Sequence, residues 1–449
     1  MTLFTQAPHG VNLFIITILQ KMLKYKYMAA VVALLVTGCA QYSPQPIDLS
    51  ADMTNWHQVS VQMCGSRRSI SADELRRIGL MMNPELLKAR LTHARSKGRA
   101  EYAGLWEDPG MGMELERVFA HNITNYSISP SLALPVTGLP GLRKQIAEQY
   151  SEADYWNVRE LERMFMMELD VLCYKCQAAD ARLSLMRRRL NVLRDEQARI
   201  TRLHEVGEVA FADFQTATER LNETIKQVQE QEREQLTLRQ ELVSRLGLHP
   251  SITGIHPSGG LPHGVPSAVA VPGADMLLGI ASVKAQMAGY GASENELRAE
   301  IRKQFPELRL SGMFAEDDDT EKGALGVEFT LPLWNRNREA IAVAGAERDL
   351  KQAETLQTWH ALLQESTALG AQQRLLQNHC RSEYSRLREL ETATARQERL
   401  FSLGESKLLE LAEARHLEYE RRLAYLDCLV NLLEVQTKLL YLNPSHNQQ

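Results

Sequence analysis

The sequence predicts a mainly α chain with a small β part, laid out as one large unit repeated in tandem. Three observations carry this reading. Landmarks of different kinds recur at one offset, long stretches carry apolar residues at helical spacing, and each copy holds two short alternating stretches. Val206-Gly207-Glu208 answers Leu403-Gly404-Glu405, Leu134-Pro135 answers Leu331-Pro332, and Asp108-Pro109 answers Phe305-Pro306. The offset is 197 each time (404−207, 331−134, 306−109). Small-unit solenoids repeat every ~20–50 residues, so this is the duplication of a large unit.

Composition narrows the class further. Aromatic residues make up 6% of the 449, and Leu, Ala, Glu, Gln and Arg dominate the long middle stretches. That balance favours extended helices over compact cores. A net charge of −5, with acidic and basic residues interspersed, supplies no basic field, which argues against nucleic acid as a partner.

The N-terminus reads as an export signal whose true start is Met22. Lys24 and Lys26 precede an apolar stretch from Met28 to Val36, followed by Val36-Thr37-Gly38-Cys39. The apolar run is too short to span a bilayer. Its end resembles a bacterial lipobox, which implies that Cys39 is acylated with palmitate-type chains and becomes the mature N-terminus. Ala40, rather than Asp, follows it, as in lipoproteins sorted to the outer membrane. Residues 1–38 are therefore the signal region and 39–70 an acylated, polar tether containing Pro44 and Pro46.

The first repeat spans 71–248. Ser71, with Glu74 three residues on, forms a capping box opening a helix that runs through Leu75, Leu86, Leu87 and Leu91 to about Ala103. Strand candidates follow at about Gly110–Phe119 and Ser127–Leu134, and in the second repeat (276–443) at about Leu308–Phe314 and Leu325–Leu331. His121-Asn122 and Asp317-Asp318-Asp319 supply the turns. Leu325, Val327, Phe329 and Leu331 point to one side, and Gly326, Glu328 and Thr330 to the other. Ile128, Pro130, Leu132 and Leu134 match the apolar set, as Met111 and Met113 match Leu308 and Leu310. Such alternation fits the wall of a transmembrane barrel. The alternative, a half-buried soluble sheet, needs a covering layer from elsewhere in a chain that is otherwise helical.

Each strand pair leads into a very long helix. The first runs from about Gly141 to Glu205, on the order of 95 Å at 1.5 Å per residue. Leu183, Met186, Leu190, Leu193, Gln197 and Ile200 step along it as a coiled-coil seam. Gly207 turns the chain, and a return helix spans about Ala210–Leu246. In the second copy the corresponding helices span about Glu339–Phe401 and, after Gly404, on to about Leu442. Between the copies, 249–275 is a linker rich in Pro and Gly, and 444–449 is a short tail.

Four strands cannot close a barrel in lipid without exposed edges, so closure demands several chains. At this point the design resembles the TolC-type outer-membrane efflux factors. Asn83-Pro84-Glu85-Leu86 is similar to that family's recurrent opening. Phe305-Pro306-Glu307-Leu308 and the string Leu331-Pro332-Leu333-Trp334-Asn335-Arg336-Asn337 resemble the branch associated with heavy-metal and cation resistance. The first repeat departs from that string, reading Leu134-Pro135-Val136-Thr137-Gly138-Leu139-Pro140.

The resemblance implies a homotrimer that pools four strands per chain into a 12-stranded transmembrane β-barrel, continued by long coiled-coil helices into the periplasm. It implies a passive exit duct, lipid-anchored in the outer membrane, that receives cargo, metal cations foremost, from an inner-membrane pump through a periplasmic adaptor. Drug efflux or polypeptide secretion by the same duct, and an envelope-spanning structural lipoprotein without transport, are the alternatives. Val206, Gly207, Leu403 and Gly404 are the expected tip turns and adaptor contacts. Arg202, Glu205, Glu208, Arg399 and Glu405 are candidate gate charges.

Nothing in the sequence points to catalysis, a cofactor or a metal centre. No phosphate-binding Gly-rich loop or nucleophile–base setting is present. Cys173 and Cys176 form a CxxC inside a helical pattern and read as buried thiols; Cys64, Cys380 and Cys428 are the other downstream cysteines. Met164, Met166 and Met167 lie among Leu161, Phe165 and Leu169 and read as packing. His249, His256 and His263 are evenly spaced in the linker, with nothing to gather them.

Overall fold

A computed structural model describes residues 42–65, 67–118, 123–317 and 320–444. The signal region, Met22, Cys39, Phe119, the His121-Asn122 turn, Asp318, Asp319 and the tail beyond Pro444 lie outside these residues. Two compact units divide at Asn55/Trp56. In the first, as far as it is described, residues 42–48 lead into the opening turns of helix α1 (Leu49–Cys64), where the Asp48 carboxylate before the helix accepts from the backbone of Ser50 and Ala51 at 3.0 and 3.1 Å. The stretch read as a polar tether therefore holds a 16-residue helix.

After α1 come β1 (Ser69–Ile70), α2 (Ala72–Met82), α3 (Pro84–Tyr102), β2 (Gly110–Val118), β3 (Ile123–Leu134), α4 (Leu139–Glu205) and α5 (Phe211–Arg245). The second half holds β4 (His256–Pro257), α6 (Ala274–Leu277), α7 (Ala281–Arg302), β5 (Leu308–Asp317), β6 (Thr320–Phe329), α8 (Arg338–Ser402) and α9 (Leu408–Tyr441). The long helices α4 and α8 have 67 and 65 residues, about 100 Å each.

The capping box at Ser71 is present, with the Ser71 hydroxyl accepting from the Glu74 amide at 3.3 Å. The helix it opens stops at Met82, short of the predicted Ala103. Asn83 sits at φ −67°, ψ 121° because a residue before proline is pushed out of the α region, and Pro84 has no N–H to continue the ladder. The Asn83 side chain then accepts from the Glu85 and Leu86 amides at 2.9 and 3.2 Å and starts α3 anew.

The main core lies where α2, α3, α4 and α5 meet. Leu75, Leu169, Leu242 and Leu246 are fully buried there, with Phe165, Cys173 and Cys176. The predicted α4 seam packs as expected: Leu183 and Leu190 are buried against Val228, with Met186, Leu221 and Ile225 beside them. Arg76 of α2 forks onto Asp170 of α4 with two 2.9 Å hydrogen bonds, and the Tyr441 hydroxyl donates to the same carboxylate at 2.8 Å.

The Pro/Gly linker is irregular, as expected, yet it is not free. Beyond the short parallel pairing of β4 with β1, helix side chains hold its backbone. Gln373 donates to the Val269 carbonyl at 2.9 Å and accepts from its amide at 2.8 Å. Gln377 donates to Pro266 O at 3.0 Å, Gln436 to Ser267 O at 2.8 Å, and Ser366 to Pro272 O at 2.9 Å. All four side chains are buried. Linker backbone without its own ladder thus finds partners.

Candidate functional site

Strands β2, β3, β5 and β6 form one antiparallel sheet in that order, so the two hairpins join through β3 and β5. Directly paired residues share a face. Met111 pairs with Pro130 and Met113 with Ile128; Ile128 pairs with Phe314, Leu132 with Leu310, Leu310 with Val327 and Leu308 with Phe329. Every residue assigned to the apolar side from the sequence therefore lies on one continuous face where the pairing reaches it.

The opposite face is mainly polar, with Gly112, Ser127, Ser129, Ser131, Ser311 and Gly326 in register, Arg309 across from Glu328, and Met313 as its large apolar side chain. The apolar face is open: Leu325 is 95% exposed, and Met111, Met113, Phe314, Val327 and Phe329 are exposed too. It covers about 20 Å of strand from Leu308 to Phe314. At its far end Tyr126 donates to Glu316, which pairs across with Glu321. At its near end Trp334, Leu331 and Leu333 stand exposed after β6. Within one chain, the sheet pairings leave β2 and β6 as edges.

The far ends of the helical hairpins are built alike. Gly207 and Gly404 adopt φ 79° and 78°, a left-handed conformation that glycine enters without a Cβ clash. Behind each, the next amide folds back five residues: Glu208 N donates to Leu203 O at 2.8 Å, and Glu405 N to Leu400 O at 2.9 Å. Val206 and Leu403 stand out from these turns, 70% and 72% exposed. The first tip is braced by His204, stacked on Phe214 at 5.0 Å with Nδ1 2.9 Å from Val209 O. The second is braced by Glu410, which accepts from the Ser406 hydroxyl at 2.9 Å and from Lys407 N at 3.4 Å. These bonds hold its carboxyl below the usual range.

Arg202, Glu205, Glu208, Arg399 and Glu405 are all exposed near the turns. None is ion-paired to another described residue of its own chain. The charges that do pair lie one to four helical turns back. Arg415 of α9 donates to Glu196 of α4 at 3.1 Å and to Glu398 of α8 at 2.8 and 3.1 Å, and Arg220 of α5 to Glu413 of α9 at 2.8 Å. Glu196 and Arg189 side chains are only 5% and 6% exposed. Arg189 lies 5.8 Å from the Tyr419 ring centre and 4.0 Å from Glu196 Oε2, which finds no hydrogen bond. Burial pushes the Arg189 pKa down. Burial also opposes the Arg415 charge, but Glu398 and Glu196 outweigh it and its pKa is raised.

These inter-helix pairs escaped sequence reading, since Glu196 and Arg415 are 219 residues apart. So did a disulfide between Cys380 of α8 and Cys428 of α9. Cys173 and Cys176 are buried free thiols, as read, both pushed up to about 12 by burial. The linker histidines are dispersed: His249 Nδ1 lies 2.8 Å from Ser251 Oγ, His256 belongs to β4, and His263 is exposed. Of the methionines, Met166 packs against the main core while Met164 is partly exposed. Among the described residues, no three His, Cys, Asp or Glu side chains gather in a way that could hold a metal ion.

A sheet of this construction below two paired helical hairpins is the protomer fold of the TolC-type outer-membrane channels. Solved structures sharing it include the outer-membrane channel OprN, with a TM-score of 0.72 at 16% identity over 92% of this chain and 99% of that one. CusC, described for conformational changes accompanying folding and transmembrane channel formation, gives 0.71 at 15% identity over 84% and 92%. The Neisseria gonorrhoeae MtrE outer-membrane channel, solved in its open state, gives 0.69 at 16% identity over 84% and 89%. No protein-family model matches the sequence, and no curated protein matches it.

Proposed function

We propose that this chain is one third of an outer-membrane exit duct, serving a tripartite efflux system. The observation that carries the reading is the sheet: one face apolar and exposed, the other mainly polar, with two edges left open by the pairings. Edges cannot stand open in lipid, where each unmet backbone group costs several kcal/mol. Three copies joined β6 to β2 give twelve strands and leave no edge. The apolar band then faces lipid, Trp334 lies at the interface where aromatic belts form, and the serine- and glycine-lined face surrounds the passage.

The hairpins extend the passage into the periplasm, and their tips meet an adaptor through Val206, Gly207, Leu403 and Gly404. The duct stays shut until the tips part, with Arg202, Glu205, Glu208, Arg399 and Glu405 facing neighbouring chains, and Cys39 tethers the mature chain by acylation. Transport is passive and driven by an inner-membrane pump. Metal cations are the proposed cargo, on the Leu331–Asn337 string. Purified in mild detergent, the protein should have the mass of three protomers and conduct in planar bilayers. A stable non-conducting monomer with an intact sheet overturns the reading. A deletion strain that stays resistant to metal salts but loses resistance to organic drugs overturns the cargo alone, and unchanged fatty-acid labelling of Cys39→Ser overturns the anchor.

A further inference from the structure

Two cysteines of the second hairpin share their surroundings with a histidine and a carboxylate. Cys380 of α8 is bonded to Cys428 of α9, with Cα atoms 5.6 Å apart. His379 Nδ1 lies 3.6 Å from Cys428 Sγ, and across the same ring Nε2 lies 3.6 Å from Glu383 Oε1. Glu383 is held in turn: Arg421 donates to its second oxygen at 2.6 Å, and Arg386 lies 3.6 Å from the first. The repeated fold does not require this set. Subtracting the 197-residue offset puts Leu183, Gln231, Arg182 and Met186 at the positions of Cys380, Cys428, His379 and Glu383, so the first hairpin packs without all four.

The two sulfurs are placed differently. Cys380 is 0% exposed and sits among Leu376, Leu432 and linker residue Val265. Cys428 is 4% exposed but borders His379, whose side chain is 59% exposed. The His379 flank is thus an open approach, and it leads to Cys428. A thiolate is the reacting form of cysteine, and a histidine beside it makes that form available; a third group on the far ring nitrogen orients the base. On the other side, the linker carbonyls of Pro266, Ser267 and Val269 accept from buried Gln377, Gln436 and Gln373 at 3.0, 2.8 and 2.9 Å.

We propose that Cys428 is a thiol–disulfide exchange site, with His379 as its proton acceptor and Glu383 orienting His379, and that linker residues 265–269 seal the bond once it has formed. The partner is a protein disulfide oxidant met after export, which rests on the duct reading. In the reduced chain the Cys428 thiol gives its proton to His379 Nδ1. The thiolate attacks one sulfur of the oxidant's disulfide, and the other sulfur leaves as thiolate and takes that proton from His379. Cys380, its proton released to solvent, then attacks Cys428 Sγ in the mixed disulfide. The oxidant's remaining sulfur leaves and is protonated from solvent. Two electrons pass from the cysteines to the oxidant, which departs as the dithiol. Reversal is harder, because a reductant attacking Cys428 must expel the Cys380 thiolate among Leu376, Leu432 and Val265, where burial disfavours the charge.

Mass spectrometry of protein extracted from its host under acid quench, without reductant, should find a Cys380–Cys428 linked peptide in wild type. Cys380→Ala should carry a mixed disulfide at Cys428, whereas Cys428→Ala should leave Cys380 a free thiol. Free thiols in wild type, or adducts as frequent on Cys380 as on Cys428, overturn the proposal. The charged neighbours of the His379 ring are Glu383, with Arg386 of α8 and Arg421 of α9 behind it, and the linker brings apolar Val265. In pulse-chase alkylation, His379→Asn should form the bond at least about tenfold more slowly at about pH 7. The gap should narrow at about pH 8.5, where a cysteine ionises unaided. An unchanged rate, or equal slowing at both pH values, overturns the role of His379 as base. In the purified protein, Gln377→Ala/Gln436→Ala should let glutathione reduce the bond at least about tenfold faster than in wild type; equal resistance overturns the seal. A linked peptide with the expected order of sulfurs in a protein that does not conduct fails the duct reading alone, and a conducting trimer with free thiols fails the exchange site alone.

Discussion

Arg415 spans three helices: from α9 it holds Glu196 of α4 at 3.1 Å and Glu398 of α8 at 2.8 Å. Glu196 is buried, and its second oxygen has only Arg189, 4.0 Å away. Removing the Arg415 guanidinium leaves that carboxylate nearly alone in a dry setting. Losing one partner of a fully buried pair costs ~3–5 kcal/mol; with Arg415 itself 30% exposed, about 1–3 kcal/mol is the fitting range. Arg415→Ala should therefore weaken the closed tip, seen as higher conductance in planar bilayers and greater sensitivity of cells to large antibiotics. Arg415→Lys, which keeps the charge but loses the fork, should fall between. Wild-type conductance in both variants would show that the contact holds nothing shut.

A second expectation concerns a charge with no ion-pair partner among the described residues. Arg399 lies one turn before the Gly404 turn, exposed, on the end of α8. If it faces a neighbouring copy, reversing it to Glu sets like charges against each other three times around the axis, each worth about 0.2–1 kcal/mol. Arg399→Glu should then raise conductance with normal trimer yield. An unchanged conductance would place Arg399 on an ordinary solvated surface.

The sheet can be tested one face at a time. Val327 and Ala324 are three residues apart on β6 and lie on opposite faces, Val327 across from Leu310 and Ala324 across from Met313. Arginine on the lipid side of a barrel costs ~2–4 kcal/mol near mid-membrane, whereas a passage-facing substitution is tolerated. Val327→Arg should lower the yield of heat-resistant trimer on unboiled gels, and Ala324→Arg should not. Equal losses would mean that neither face meets lipid.

Alkali should destabilise the helical part. Burial pushes the thiols of Cys173 and Cys176 and the phenols of Tyr419 and Tyr425 up to about 12, against ordinary values of 9.0 and 10.0. A folded value above the unfolded one means stability that is fully present below about pH 9 and is lost as pH rises toward 12. Melting temperature should be flat from pH 7 to 9 and fall beyond. A maleimide should miss both thiols at pH 8 until denaturant is added. A flat melting curve to pH 11 would contradict the burial.

The large plan was legible because it rests on local periodicity. The strand alternation around Leu325–Phe329, the α4 seam from Leu183 to Ile200 and the paired tip glycines each carry their own signal. The break at Asn83-Pro84 was written in the sequence too, but the apolar spacing through Leu86 and Leu91 masked it. What could not be read were pairings across distance. Arg415 with Glu196, and Cys380 with Cys428, depend on the register of helices sliding past one another, which no single segment encodes. The held linker left one faint trace, Gln373 and Gln377 four residues apart, at helical spacing with Ser366, Leu369 and Cys380 on α8.

That linker has a consequence for how the duplication can vary. Its carbonyls at Pro266, Ser267 and Val269 are the acceptors on which three buried glutamine amides depend. A flexible tether of equal length would still connect the halves, yet it would strand those amides at about 1–3 kcal/mol apiece. The stretch with the least regular conformation is thus among the least replaceable. Insertions that a surface loop would absorb should be refused here, and the two copies, though alike, are joined by a seam rather than a string.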